Sequence, residues 1–131
     1  MIKVAICDDD IQFIYKLEQS IFRFAEMKRI KVDVDGYTSG AEFIQKLQQS
    51  ERYDLLFLDI ELGDSSGIIV GNWIRSQIQY ESMQIVFVSA KEMYAMQLFD
   101  LRPMNFLVKP IQQERVDYIL DEYERLYGAR I

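Results

Sequence analysis

Short apolar runs alternate with longer amphipathic stretches along the whole chain. Five runs read as strands: Ile2 to Cys7, Lys31 to Tyr37, Asp54 to Leu58, Gln84 to Val88, and Met104 to Val108. Between and after them lie five stretches with helical spacing. Ile14, Leu17, Ile21 and Phe24 form one stripe, and Ala41, Ile44 and Leu47 a second. A third starts near Ser66 and continues through Ile74 and Ile78. A weaker fourth holds Tyr94, Leu98 and Phe99, and Val116, Leu120, Tyr123 and Tyr127 mark the last.

Strict alternation of strand and helix predicts an α/β fold, a parallel sheet covered on both faces by helices. Runs one, three and four are apolar at nearly every position, as strands buried on both faces must be. Run two differs, because Val32 and Val34 alternate with Asp33 and Asp35. One wet face marks an edge strand. A doubly wound five-stranded sheet of order 2-1-3-4-5, the flavodoxin-like arrangement, puts strand two at an edge. Function in such a sheet belongs at the carboxyl ends of the strands, near the switch point between strands one and three.

Those ends carry chemistry. Strand one ends in Cys7-Asp8-Asp9-Asp10, strand three in Leu58-Asp59-Ile60-Glu61, strand four in Val88-Ser89-Ala90 and strand five in Val108-Lys109-Pro110. In the proposed order these four strands are neighbours, so their polar residues converge on one pocket. Crowded carboxylates repel, and a hard divalent cation relieves the repulsion; carboxylates, a carbonyl and waters suit Mg²⁺. The metal and Lys109 would neutralise a phosphoryl group in transfer, Ser89 would hydrogen-bond one of its oxygens, and Asp59 would attack phosphorus. Asp10, just before the first helical stripe, reads instead as an N-cap.

Composition narrows the picture. With 131 residues the chain predicts a single domain. It contains no histidine, which excludes Ser-His and Cys-His pairs and phosphohistidine chemistry within this chain. The net charge of −6 and scattered basic residues make it a poor nucleic-acid binder by itself. No apolar run approaches membrane-spanning length, and Met1-Ile2-Lys3-Val4 enters a strand directly, so neither a span nor a signal peptide is expected. The single cysteine, Cys7, reads as a buried small hydrophobe and suits a reducing cytoplasm, the expected location.

Asp8-Asp9 after an apolar first strand, Phe57-Leu58-Asp59, Val88-Ser89-Ala90 and Leu107-Val108-Lys109-Pro110 together resemble two-component response-regulator receivers over essentially the whole chain. Leu58 to Leu62 and Phe99 to Leu107 resemble the receivers attached to LytTR-type DNA-binding domains. The resemblance implies that Asp59 is the phosphoacceptor and that Asp8, Asp9, Asp59 and the Glu61 backbone carbonyl hold Mg²⁺. It implies that Ser89 and Lys109 contact the phosphoryl group, that Ser89 and Phe106 form the switch, and that the Lys109–Pro110 bond is cis. It further implies a sensor histidine kinase as partner and a phosphorylation-dependent homodimer through the fourth helix, fifth strand and fifth helix. Such a protein is a switch, not an enzyme beyond its own phosphorylation and dephosphorylation. Excision from a longer regulator is expected, with DNA, and hence transcription, reached only through a domain absent from this chain. By the same resemblance Glu61 and Lys91 flank the path of hydrolytic water.

Two features depart from the family pattern. The loop Leu62-Gly63-Asp64-Ser65-Ser66-Gly67 lacks the Met-Pro pair common after the acceptor, and Ser89 stands where threonine is commoner. Two other functions compete. Asp59-Ile60-Glu61 superficially resembles the nucleophile motif of haloacid-dehalogenase-like phosphatases, whose nucleophile normally ends the first strand and works beneath a capping insertion. A pseudo-receiver, a fold-only interaction module, would lack the acids, hydroxyl and lysine found here.

Overall fold

A computed structural model of the protein describes residues 1–128. Its sheet has five parallel strands, β1 (Ile2–Cys7), β2 (Val32–Tyr37), β3 (Leu55–Asp59), β4 (Gln84–Ser89) and β5 (Asn105–Val108), in the order 2-1-3-4-5. The expected topology is therefore observed. Four α-helices accompany it, α1 (Ile11–Lys28), α2 (Gly40–Gln48), α3 (Gly67–Arg75) and α4 (Gln113–Tyr127), with two 3₁₀ segments, Ile78–Tyr80 and Glu92–Leu101.

Alternation along each strand divides the core in two. Val4, Ile6, Leu55, Phe57, Val86, Val88 and Leu107 face α1 and α4, where Leu17, Ile21, Val116 and Leu120 meet them. Ala5, Cys7, Leu56, Leu58, Ile85 and Phe87 face α2, α3 and the Glu92–Leu101 segment. Since β1, β3 and β4 are covered on both sides, their runs carry almost no polar residue. β2 is only partly buried, with Asp33 and Gly36 exposed and Tyr37 alone fully buried, as suits its edge position. There Tyr53 donates to Asp35 Oδ2 at 2.6 Å and hydrogen-bonds the Tyr37 hydroxyl, so both buried phenols are satisfied.

Three details differ from the sequence expectation. On α2 the buried stripe is Phe43 and Leu47, with Ala41 exposed. The Phe43 ring turns inward against Tyr37 at 5.2 Å and Tyr53 at 5.9 Å. α3 ends at Arg75, and Ile78, expected to continue its stripe, is 83% exposed. The fourth stretch winds as a 3₁₀ helix whose buried residues are Leu98 and Leu101, while Phe99 is exposed. Positions three apart eclipse in a 3₁₀ helix, so that spacing buries one row on the sheet.

Helix starts follow their caps. Asp10 accepts from Gln12 N and Phe13 N at the head of α1, Ser39 from Glu42 N at α2, and Ser66 from Ile68 N at α3. No described helix is long and apolar enough to cross a membrane.

Candidate functional site

Strand phase selects the residues that meet. Asp8 lies two residues beyond Ile6, Asp59 two beyond Phe57, and Lys109 two beyond Leu107; all three preceding residues face α1 and α4. Side chains two apart share a face, so three strands deliver two acids and an ammonium to the same end of one layer. Lys109 Nζ lies 2.8 Å from Asp8 Oδ2 and 3.6 Å from Asp59 Oδ2. Asp8, Asp9 and Asp59 each offer an oxygen, and these lie within 4.8 Å of one another. Asp8 and Asp59 are buried, whereas Asp9 is exposed at the mouth.

The electrostatics follow from that crowding. Burial first, then the negative charge of Asp8, push the Asp59 carboxyl up to about 6, even though Lys109 and the Glu61 N–H pull it down. Burial disfavours the Lys109 ammonium, but hydrogen bonding to Asp8 and the charges of Asp59 and Asp8 outweigh it and raise its pKa. Burial and the neighbouring acids Asp64, Asp8 and Asp59 push the Cys7 thiol up to about 12, so Cys7 stays a neutral hydrophobe.

The donor set fits a hard divalent cation. Asp8 Oδ2 is buried, and the Lys109 ammonium at 2.8 Å is its charged partner, shared with Asp59. A buried anionic oxygen beside two further carboxylates is costly unless a cation completes its environment. Oxygen ligands alone, some of them carboxylates, are what Mg²⁺ takes.

The remaining candidate residues stand around this cluster. Ser89 is fully buried at the end of β4, and its hydroxyl accepts from Lys91 N at 3.0 Å. It follows Phe87 by two, and Phe87 pairs with Phe106 in register. Phe106, half-buried, packs with the layer beneath the Glu92–Leu101 segment. Ser89 and Phe106 thus belong to the opposite strand phase from the acids. Glu61 N donates to Asp59 Oδ1 at 3.2 Å, while the Glu61 side chain reaches Lys91 Nζ at 3.1 Å. The Lys109–Pro110 bond is cis.

The loop after Asp59 is tied at both ends despite having no proline. Gly67 N donates to Ile60 O at 2.7 Å, and Asp64 accepts from Gly40 N and Ala41 N, each at 3.3 Å. Sequence reasoning passed over Asp64, whose partners lie more than 20 residues away. It also passed over Phe13, whose ring centroid is 4.3 Å from Lys109 Nζ. Its place in the first turn after the Asp10 cap was the available signal.

A family model described as the response regulator receiver domain matches residues 4–121. The sensory transduction protein LytT of Bacillus cereus is 30% identical over 132 residues, covering 100% of this chain and 50% of that protein. The chain spans about half the length of the curated relatives it matches. The crystal structure of a two-component response regulator from Clostridium difficile superposes with a TM-score of 0.80 at 24% identity, covering 98% of this chain and 100% of that one. The response regulator TrrA of Thermotoga maritima, crystallised in complex with Mg²⁺-BeF, superposes with a TM-score of 0.75 at 23% identity, covering 93% and 98% respectively.

Proposed function

The chain belongs to the response regulator receiver domain family, and from that premise we propose that Asp59 takes a phosphoryl group from a sensor histidine kinase. The observation that carries this reading is the convergence of Asp8, Asp9 and Asp59 within 4.8 Å, with Lys109 Nζ against two of them. Membership implies phosphorylation-dependent signalling; the residue roles that follow are our reading. The donor histidine comes from the partner, since this chain has none.

Asp8, Asp9, Asp59 and the Glu61 carbonyl are the residues that would hold Mg²⁺, which, when bound, supplies positive charge to the phosphoryl oxygens. TrrA, of the same fold, was crystallised in complex with Mg²⁺-BeF. An Asp59 oxygen attacks phosphorus as the donor's bond to phosphorus breaks and the donor leaves with the electron pair. Lys109 holds an ammonium beside the attacked group and compensates the charge Asp59 brings. Ser89 turns its hydroxyl from Lys91 N to a phosphoryl oxygen. That exchange pulls on the start of the Glu92–Leu101 segment, and Phe106, packed in the same layer, follows into the vacated space.

The changed face supports a homodimer. Met93, Met96 and Phe99 are 71%, 83% and 81% exposed and stand three apart on a 3₁₀ helix, so they form one apolar stripe. Transcription is controlled through a DNA-binding domain outside this chain, whose own charge of −6 suits no phosphate backbone.

The deciding experiment incubates the chain with acetyl phosphate, with and without Mg²⁺, and reads intact mass. One phosphoryl group added only with metal, and absent in Asp59→Asn, is the expected result. No addition, or equal addition to the variant, overturns the reading; continuous hydrolysis of phosphate esters without stoichiometric labelling points to a phosphatase.

A further inference from the structure

The Lys109 ammonium meets three groups, and only two are acids. Beyond Asp8 Oδ2 and Asp59 Oδ2, it lies 4.3 Å from the centroid of the Phe13 ring. The ring is held where it is from both ends. Asp10, capping α1, accepts from Phe13 N at 3.3 Å, and the side chain packs half-buried on the α1 and α4 layer. The backbone that carries the acid pair therefore also carries the aromatic face.

Lys109 needs such a contact. Its side chain retains 23% exposure, and a flexible four-carbon stem lets a strongly hydrated ammonium leave for water. The acids, at 2.8 and 3.6 Å, attract it from one side, and the ring faces it as a third, uncharged contact. A ring face is negative at its centre and attracts an ammonium within about 6 Å of the centroid without taking up a proton or competing for metal. A leucine would fill much of the volume but offer no such face.

We propose that Phe13 is a positioning residue for phosphoryl transfer, its ring keeping the Lys109 ammonium at the acid cluster. The proposal rests on the phosphoacceptor reading of Asp59. Loss of a cation–π contact at a partly desolvated site corresponds to about a three- to tenfold slower reaction.

The test compares wild type, Phe13→Leu and Phe13→Tyr by two readouts. The first is NMR of the metal-free chain, following the ε-methylene protons of Lys109. Ring current is expected to shift them upfield in wild type and Phe13→Tyr, and Phe13→Leu to abolish the shift. The second is the rate of Asp59 labelling by acetyl phosphate in Mg²⁺, expected to fall about three- to tenfold in Phe13→Leu and to be restored in Phe13→Tyr. Urea midpoints separate positioning from folding: a rate loss that follows stability in both variants overturns the proposal. So does a wild-type labelling rate in Phe13→Leu, with the phosphoacceptor reading left standing. If wild type itself is not labelled, both readings fall, and a shifted Lys109 resonance then reports packing alone.

Discussion

Lys91 Nζ lies 3.1 Å from Glu61 Oε2, joining the residues two positions beyond Ser89 and Asp59. The pair keeps 56% and 41% side-chain exposure, so it contributes little to stability. Its position at the rim of the acid cluster matters more, because water must pass the rim to reach a phosphorylated Asp59. Breaking it in Lys91→Ala is expected to shorten the phosphoryl lifetime about two- to fivefold, the range set by exposed ion pairs. Decay of the labelled species by intact mass checks this, and an unchanged lifetime refutes the gate. The urea midpoint is expected to stay unchanged.

Much of this arrangement was legible in the chain. Asp8, Asp59 and Lys109 each follow a core position by two, so the alternation that predicts the strands also predicts a shared face. The two aspartates of β2 announced an edge. Other features left no local trace. The turn of α2 depends on Phe43 meeting Tyr37 and Tyr53, rings from other elements. The 3₁₀ winding of Glu92–Leu101 follows from Leu98 and Leu101 seeking the same sheet face, which the weak helical spacing did not disclose. Arg75 and Asp64 act on backbone groups, and backbone partners have no residue signature.

Gly67 and Gly71 both sit in α3, yet the two positions differ physically. A Cβ at Gly67 overlaps Asp59 O and stands 2.9 Å from both Asp59 C and Ile60 Cα, all backbone atoms at the end of β3. At Gly71 it meets side chains, Phe87 Cζ at 2.9 Å and Leu101 Cδ1 at 3.2 Å. Backbone cannot step aside as a ring can. Gly67→Ala is therefore expected to cost at least about 2 kcal/mol and to slow Asp59 labelling. In Gly71→Ala the gain in helix propensity, about 1 kcal/mol, offsets much of a smaller clash. Urea denaturation of both variants checks the order, and equal costs would refute the distinction.

Arg75 joins the end of α3 to the end of the Glu92–Leu101 segment. Its Nε donates to Leu101 O at 2.8 Å, Nη1 to Met83 O at 2.8 Å and Nη2 to Arg102 O at 3.3 Å. A planar fork reaches three separated carbonyls from three nitrogens, whereas an ammonium gathers all its donors on one. Arg75→Met is expected to lower the unfolding free energy by about 2–3 kcal/mol, since partly buried acceptors lose their donors. Arg75→Lys is expected to recover less than half of that. A urea midpoint shift at constant slope is the measurement, and full recovery in the lysine variant would show that charge, not the fork, does the holding.

Asp59 makes the metal-free fold sensitive to pH. In the unfolded chain its carboxyl releases a proton near its ordinary 3.8, whereas burial and the charge of Asp8 hold the proton to about 6 in the fold. Between those values the folded state binds more protons, so this contribution is complete below about pH 4 and is lost as pH rises through about 6. The rise corresponds to roughly 2–3 kcal/mol. Asp59→Asn has no charge to desolvate, so in EDTA its stability relative to wild type is expected to grow by about that amount from pH 4 to pH 7. Carboxylates outside the cluster titrate alike in both proteins and cancel in the difference. Added Mg²⁺ is expected to shrink the advantage at pH 7, because a cation stabilises the ionised carboxylate that the variant lacks. Urea unfolding of both proteins at several pH values, with and without metal, reads the difference directly; a difference that is flat with pH shows that Asp59 carries no such burden.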